Sequence, residues 1–188
     1  ISKQLEGHHI NGEQKWTNMT NTALDWKHIW SNTFYTYCYP IENNTHYKIL
    51  HYSLRTNNLI SSWSIYNNRV SPNCKYCNIT ENVKHIFLDC GKIQTVWTSF
   101  QNIYSLLNPT RNFSNLDHLL TLSTPKTNSK TKKLILTLTT TIIQHIWIAR
   151  NKLQFDNTLI PPNQIIKNIK LSLKHIINTH YNIDKENN

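Results

Sequence analysis

Ile93, Val96, Trp97, Phe100, Ile103, Tyr104 and Leu107 follow one another at three- and four-residue steps. That spacing lays a continuous apolar stripe along one helix, which Asn108-Pro109 stops. Similar but weaker patterns precede it. A helix is expected from about Asn21, burying Leu24, Ile29 and Trp30 beside Trp26 and ending at Tyr39-Pro40. Asn43-Asn44-Thr45 then offers an N-cap for a helix with Tyr47, Leu50, His51 and Leu54 on one face. Arg55-Thr56-Asn57-Asn58 breaks that helix, and Leu59 to Tyr66 reads as a short third one. His46 and His51 lie in or near these helices without partners at ligand spacing, so they read as packing or surface residues.

The second half repeats the theme. Leu134 to Phe155 is largely apolar, but Thr137 to Ile143 is β-branched and fits strand or helix. Its length favours a helix, closed by Asp156-Asn157. Its apolar run, Leu134 to Ala149, falls short of the ~20 residues of a membrane span and carries several Thr plus Gln144 and His145. A final helix opens at Pro161-Pro162-Asn163 with Ile165, Ile166, Ile169, Leu173, Ile176 and Ile177 on one face, and Lys167, Lys170 and Lys174 on another.

These patterns predict an all-α fold. Residues 1–20 read as a flexible lead-in and 21–122 as a helical domain that includes a short apolar piece at 116–122. Residues 123–133 read as a basic linker, 134–181 as a C-terminal helical hairpin, and 182–188 as a disordered tail.

Candidate chemistry is concentrated between Ser71 and Gly91. Cys74, Cys77, His85 and Cys90 stand in the order C-x2-C-x7-H-x4-C. Three thiols and an imidazole complete a tetrahedral set for structural zinc and leave no position for a substrate. Two residues between thiols allow a tight turn, which Pro72 enters extended. Buried free cysteines, a redox pair or a disulfide framework are the rival readings. The redox pair lacks a thioredoxin-like setting, and the disulfide reading suits a shorter secreted chain with more cysteines. Thr80 is the expected cap of a helix starting at Glu81. From His85 to Cys90 a straight helix turns by about 500°, so the two cannot share a face, and the helix is expected to end or tighten near Asp89, with Gly91 relaxing the backbone.

Charge changes the picture. The chain of 188 residues carries a formal charge of +10. Residues 126–188 hold ten Lys/Arg against three acids, whereas residues 1–70 hold six against four. A surplus gathered behind the metal motif points to an anionic partner, with nucleic acid first. Asn-x-Ser/Thr triplets are expected by chance in so Asn-rich a chain. No charged-then-apolar leader precedes the helices, which argues for an intracellular placement rather than secretion, and no membrane association is expected.

Two stretches resemble a known family. The zinc set, with Glu81 before His85 and Ile86-Phe87-Leu88-Asp89-Cys90 leading to Val96-Trp97, is similar to the reverse-transcriptase zinc-binding domain of non-LTR (LINE-type) retrotransposons. Trp147, Arg150-Asn151 and Phe155 resemble the Trp-x2-Arg-Asn-x3-Phe segment that often follows it, and Tyr47 to Asn57 looks like the helical lead-in. The resemblance implies Cys74, Cys77, His85 and Cys90 as ligands of a CCHC zinc knuckle, with Trp97 behind it. It implies a region beyond the polymerase that helps hold template RNA or target DNA, in the nucleus or a cytoplasmic ribonucleoprotein. The polymerase domain of the same polyprotein would be a partner. No Tyr/Phe-x-Asp-Asp is present, and the few scattered acids do not suggest a two-metal centre, so no catalysis is expected.

Nucleic-acid contacts are expected first on the knuckle. Lys75 and Lys84 could meet phosphates while Tyr76 stacks a base or packs inward. Arg150 and Asn151 could contact phosphate or a base edge, or pair internally. Lys130, Lys132, Lys133, Lys167, Lys170 and Lys174 would add salt-sensitive affinity, although a solvated face is the commoner role for such lysines. A scaffold that braces a polymerase or partner protein is the alternative function.

Overall fold

In the computed structural model the described residues are 11–33, 36–63, 70–107, 109, 120 and 128–186. Their regular structure is helical: α1 (Asn11–Thr20), α2 (Trp26–Asn32), α3 (Pro40–Leu50), α4 (Asn57–Ser61), a π turn (His85–Asp89), α5 (Gly91–Thr98), α6 (Gln101–Leu107), α7 (Ser129–Phe155) and α8 (Pro162–Glu186). The fold is all-α. None of these helices is long and apolar enough to cross a membrane.

Helix α7 is the axis of the molecule. It is buried almost without interruption from Ile135 to Ile146. Its threonines, ambiguous in sequence, suit a buried helix because every buried hydroxyl finds an acceptor or donor. Thr137 and Thr141 donate back to Lys133 O and Thr137 O, each at 2.8 Å. Thr140 meets His46 Nδ1 of α3 at 2.8 Å, and Thr139 meets the Tyr104 hydroxyl of α6 at 2.6 Å. Gln144 bonds Thr45 of α3. The helix starts at Ser129, where the Asn128 side chain accepts from Thr131 N at 2.9 Å, so Lys130, Lys132 and Lys133 are helical rather than part of a linker. Residues 121–127 lie outside the described residues.

Helix α8 returns antiparallel to α7. His145 meets Ser172 at 2.8 Å, while His180 near the far end meets Tyr37 O at 3.2 Å, beside the start of α7. The helix runs to Glu186, past the expected fraying point at Tyr181. Ile165 and Ile169 of α8 join one buried cluster with Trp97 of α5, Phe87 of the π turn, Ile49 of α3 and Trp16 of α1. The hairpin and the segment carrying Cys74 and Cys90 therefore share a core.

The front of the chain departs furthest from expectation. Within the predicted lead-in, residues 11–20 form α1. Trp16 is fully buried and donates its indole N–H to Ile49 O at 3.0 Å. Helix α1 presses so closely on the end of α3 that a Cβ at Gly12 would lie 2.0 Å from Leu50 O, a distance only glycine permits. Asn21, with φ 49°, ends the helix, and Asp25 caps α2 by accepting from His28 N at 3.0 Å. Pro40 does not end a helix. It is the first residue of α3, where its missing N–H costs nothing, and Glu42 reaches back to Tyr39 N at 2.7 Å. Asn43, Asn44 and Thr45 thus lie inside α3 rather than capping it. Thr56 caps α4, and residues 64–69 lie outside the described residues. The stripe from Ile93 to Leu107 is also two helices rather than one, parted at Ser99-Phe100. Ile93, Val96, Trp97, Phe100 and Tyr104 are buried, while Ile103 is exposed. Of the piece at 116–122, only Leu120 is described, and it is buried.

Candidate metal centre

Cys74 and Cys77 come from a tight loop. Cys74 N donates to Ile79 O and Asn78 N to Cys74 O, both at 2.8 Å. Asn73 and Thr80 close the loop with an antiparallel bridge. Asn78 takes the left-handed conformation that this return requires (φ 61°), which Asn tolerates better than most residues. Tyr76 N points at Cys74 Sγ from 3.4 Å, a donor placed to stabilise a thiolate.

His85 and Cys90 come from the helical segment that follows. The Asn82 side chain accepts from His85 N at 2.8 Å and starts this segment. Thr80 does not cap it, and Glu81 is not in its first turn. The backbone then widens instead of tightening. Cys90 N donates to His85 O at 3.0 Å across the π turn. An i→i+5 bond brings residue i+5 back over residue i, which resolves the angular mismatch of a straight helix. Gly91 opens α5 with negative φ, and a Cβ there would meet nothing within 4 Å, so glycine is not required at that position.

The outcome is convergence. One ligand atom from each of Cys74, Cys77, His85 and Cys90 lies within 4.8 Å of the others, an arrangement that could hold a metal ion. His85 turns Nε2 inward, 3.2 Å from Cys77 Sγ. Cys77 is exposed, and the other three are buried. All four cysteines of the chain are free thiols. The hydrogen bond between Cys74 and Cys90 pushes the Cys74 thiol up, with burial adding to the rise, and the same bond pushes Cys90 down. A bound dication would take the place of the protons crowded here, since its ligands are thiolates and neutral imidazole.

The residues around the cluster serve it from inside. Glu81, buried, accepts from Arg150 Nη2 at 2.5 Å and Nε at 3.2 Å. It also accepts Asn57 N at 2.8 Å. Arg150 completes its donors on Asn57 Oδ1 (2.7 Å) and Asn151 Oδ1 (3.0 Å). Arg150 is therefore an internal ion-pair partner and not a phosphate contact. Lys75 donates to Leu153 O and Gln154 O, at 3.2 and 3.1 Å, and closes the C-terminus of α7 where a cation is favoured. Tyr76 packs its ring against the core with its hydroxyl buried, and burial pushes that phenol up. Lys75 is thus exposed but held on two backbone carbonyls, and the half-buried Tyr76 packs inward instead of offering a stacking platform. Nothing in the sequence marks Asn57 or Asn82 as supporting groups, and Glu81 stands out only as a helix start and a residue preceding His85.

The other predicted contacts are spread out. Lys84 is half-buried beside the π turn, and Lys130 is exposed in the first turn of α7. Lys133 sits 3.9 Å above the Tyr37 ring, and Lys132 is half-buried. Lys167, Lys170 and Lys174 are exposed on α8. Sequence reasoning also passed over Lys48 and Arg55, which join Trp147 and Phe155 around a cleft of about 540 Å³. No family model, curated protein or solved structure matches the chain.

Proposed function

We propose that this chain is a non-catalytic helical module organised by a CCHC zinc knuckle, which binds nucleic acid, RNA or single strands by preference. In this reading it comes from the C-terminal part of a non-LTR retrotransposon reverse transcriptase and helps hold template RNA or target DNA. The observation that carries it is the convergence of Cys74, Cys77, His85 and Cys90 within 4.8 Å. Three sulfurs and one nitrogen are the donor set zinc favours, and a closed set stabilises structure rather than activating water. Zinc bound there would fix the loop, the π turn and α5 against α7.

Nucleic-acid contact in this reading moves from the knuckle to the helices. Lys75 and Arg150 donate to protein acceptors and Tyr76 packs on the core, whereas Lys167, Lys170 and Lys174 face solvent within the segment that carries most of the surplus charge. Such lysines neutralise phosphates without reading sequence, and single-strand affinity falls by about 0.7 log unit per log unit of salt for each phosphate neutralised. Titration of a labelled unstructured RNA at rising salt tests this. Steep loss of affinity is expected, with a shallower slope in the Lys167→Gln/Lys170→Gln/Lys174→Gln variant. A second reading has a specific observation behind it. Because Lys75 and Arg150 donate to protein acceptors and Tyr76 packs against the core, the module could serve only as a scaffold for a polymerase domain or partner protein. Absence of RNA binding at low salt would favour that scaffold.

A further inference from the structure

Phe155, the last residue of α7, is 67% exposed and stands at the mouth of the 540 Å³ cleft, on the same helix as the half-buried Trp147. Leu54 lines the cleft as well, and Lys48 and Arg55 reach it from the end of α3 and the loop beyond. The metal cluster contributes none of its ligands to this lining. Arg150 lies 5.1 Å from the Trp147 ring centroid and 5.9 Å from that of Phe155, bracing both aromatics with a cation already balanced by Glu81. Lys48 and Arg55 are exposed, and no described acid lines the cleft. Arg55 also lies over Trp63 at 5.9 Å, which keeps its guanidinium near the rim. Asn151 gives its carbonyl oxygen to Arg150, leaving its amide hydrogens available to a ligand.

We propose that this cleft seats one base of a single-stranded nucleic acid, stacked on Phe155 beside Trp147, with neighbouring phosphates on Lys48 and Arg55. The proposal rests on the nucleic-acid reading above and assigns it a site. An open aromatic face with cations at its edge is the combination that holds unpaired bases and backbone together. The volume lies within the range of small-ligand clefts. Asn151 amide hydrogens favour a base edge that offers an acceptor. A duplex cannot use the site, because its bases already stack on one another and single-strand recognition depends on splaying them out.

The test uses the full zinc-loaded chain and a short fluorescein-labelled oligouridine, with a duplex of the same length alongside. Phe155→Leu keeps apolar bulk but loses the π face. It should weaken oligouridine binding roughly five- to hundred-fold, the range that one base–aromatic stack supplies, without changing the salt slope. Phe155→Trp should restore affinity, and Lys48→Gln/Arg55→Gln should flatten the salt dependence. Zinc content and far-UV circular dichroism verify folding. Parental affinity in Phe155→Leu, or an equal loss on duplex, overturns the cleft. If the α8 lysine variant still loses affinity in that case, the broader function stands. No binding by the parent protein at low salt overturns both.

Discussion

Arg150 of α7 and Glu81 of the metal loop form a buried ion pair, with Nη2 2.5 Å from Oε1 and side chains only 5% and 2% exposed. It ties the loop that supplies two thiols to the helix at the centre of the core. Removing one partner strands a charge out of water, at a cost of about 3–5 kcal/mol. Glu81→Ala should therefore lower stability by that amount in urea unfolding. Replacing both groups by apolar ones, as in Glu81→Leu/Arg150→Met, should recover most of the loss, because the desolvation cost disappears with the pair. A single variant that unfolds like the parent would show the pair to be dispensable.

Metal removal should be readable by thiol chemistry. With zinc bound, the three cluster sulfurs are shielded, and the half-buried Cys38 should react slowly because burial pushes its thiol up to about 12. Chelation at neutral pH should free Cys77 first, since it alone among the four cluster residues is exposed. Cys38 should react with a thiol reagent more slowly than freed Cys77 until the protein unfolds. Labelling of Cys38 in the folded protein as fast as that of Cys77 would contradict its raised thiol pKa.

His46 supplies a pH dependence. Burial alone pushes its pKa down to about 3, and its Nδ1 meets Thr140. The unfolded chain protonates first as pH falls, so the stabilising contribution is complete above the ordinary value of about 6.5 and drains toward pH 3. The limiting slope is about 1.4 kcal/mol per pH unit. Thiolate ligands also take up protons in acid, so the informative quantity is the difference between the parent and His46→Gln. That difference should shrink steadily as pH falls below about 6.5.

Trp16 separates packing from hydrogen bonding. Trp16→Ala should cost about 3–5 kcal/mol, as expected for an emptied aromatic site. Trp16→Phe should cost far less, about 1 kcal/mol, because Ile49 O also accepts Tyr52 N at 2.9 Å. Thermal or urea unfolding of the two variants checks both. A near-neutral Trp16→Ala would return α1 to the status of a loose lead-in.

The convergence of the Cys/His cluster and the central helix were legible because their signals are local. Cys74 and Cys77 state their turn in four residues, and a length of apolar sequence is enough to make α7 helical. Helix α1 was not legible, since Trp16 is its one buried large side chain and a single anchor has no period. Pro40 misled because the same restriction that ends a helix also suits its first residue. The break at Ser99-Phe100 is silent, because Phe100 and Tyr104 stay on the inner face across it. Arg150 looked available because its partner Glu81 lies 69 residues away. Pairing over that separation leaves no mark in a linear pattern, and a +10 chain invites the reading that each cation serves an external anion.

The π turn between His85 and Cys90 has a mechanical consequence. It holds one residue more than an ordinary turn, and each residue of an α-helix advances the chain by about 100°. If the turn reverted to ordinary winding, α5 would rotate about its axis by roughly that angle. Val96 and Trp97 would swing away from the interior while the exposed Lys92 and Thr95 moved toward it. A cation clasping His85 and Cys90 would thus act as a keyway, locking the rotational phase of everything threaded after it.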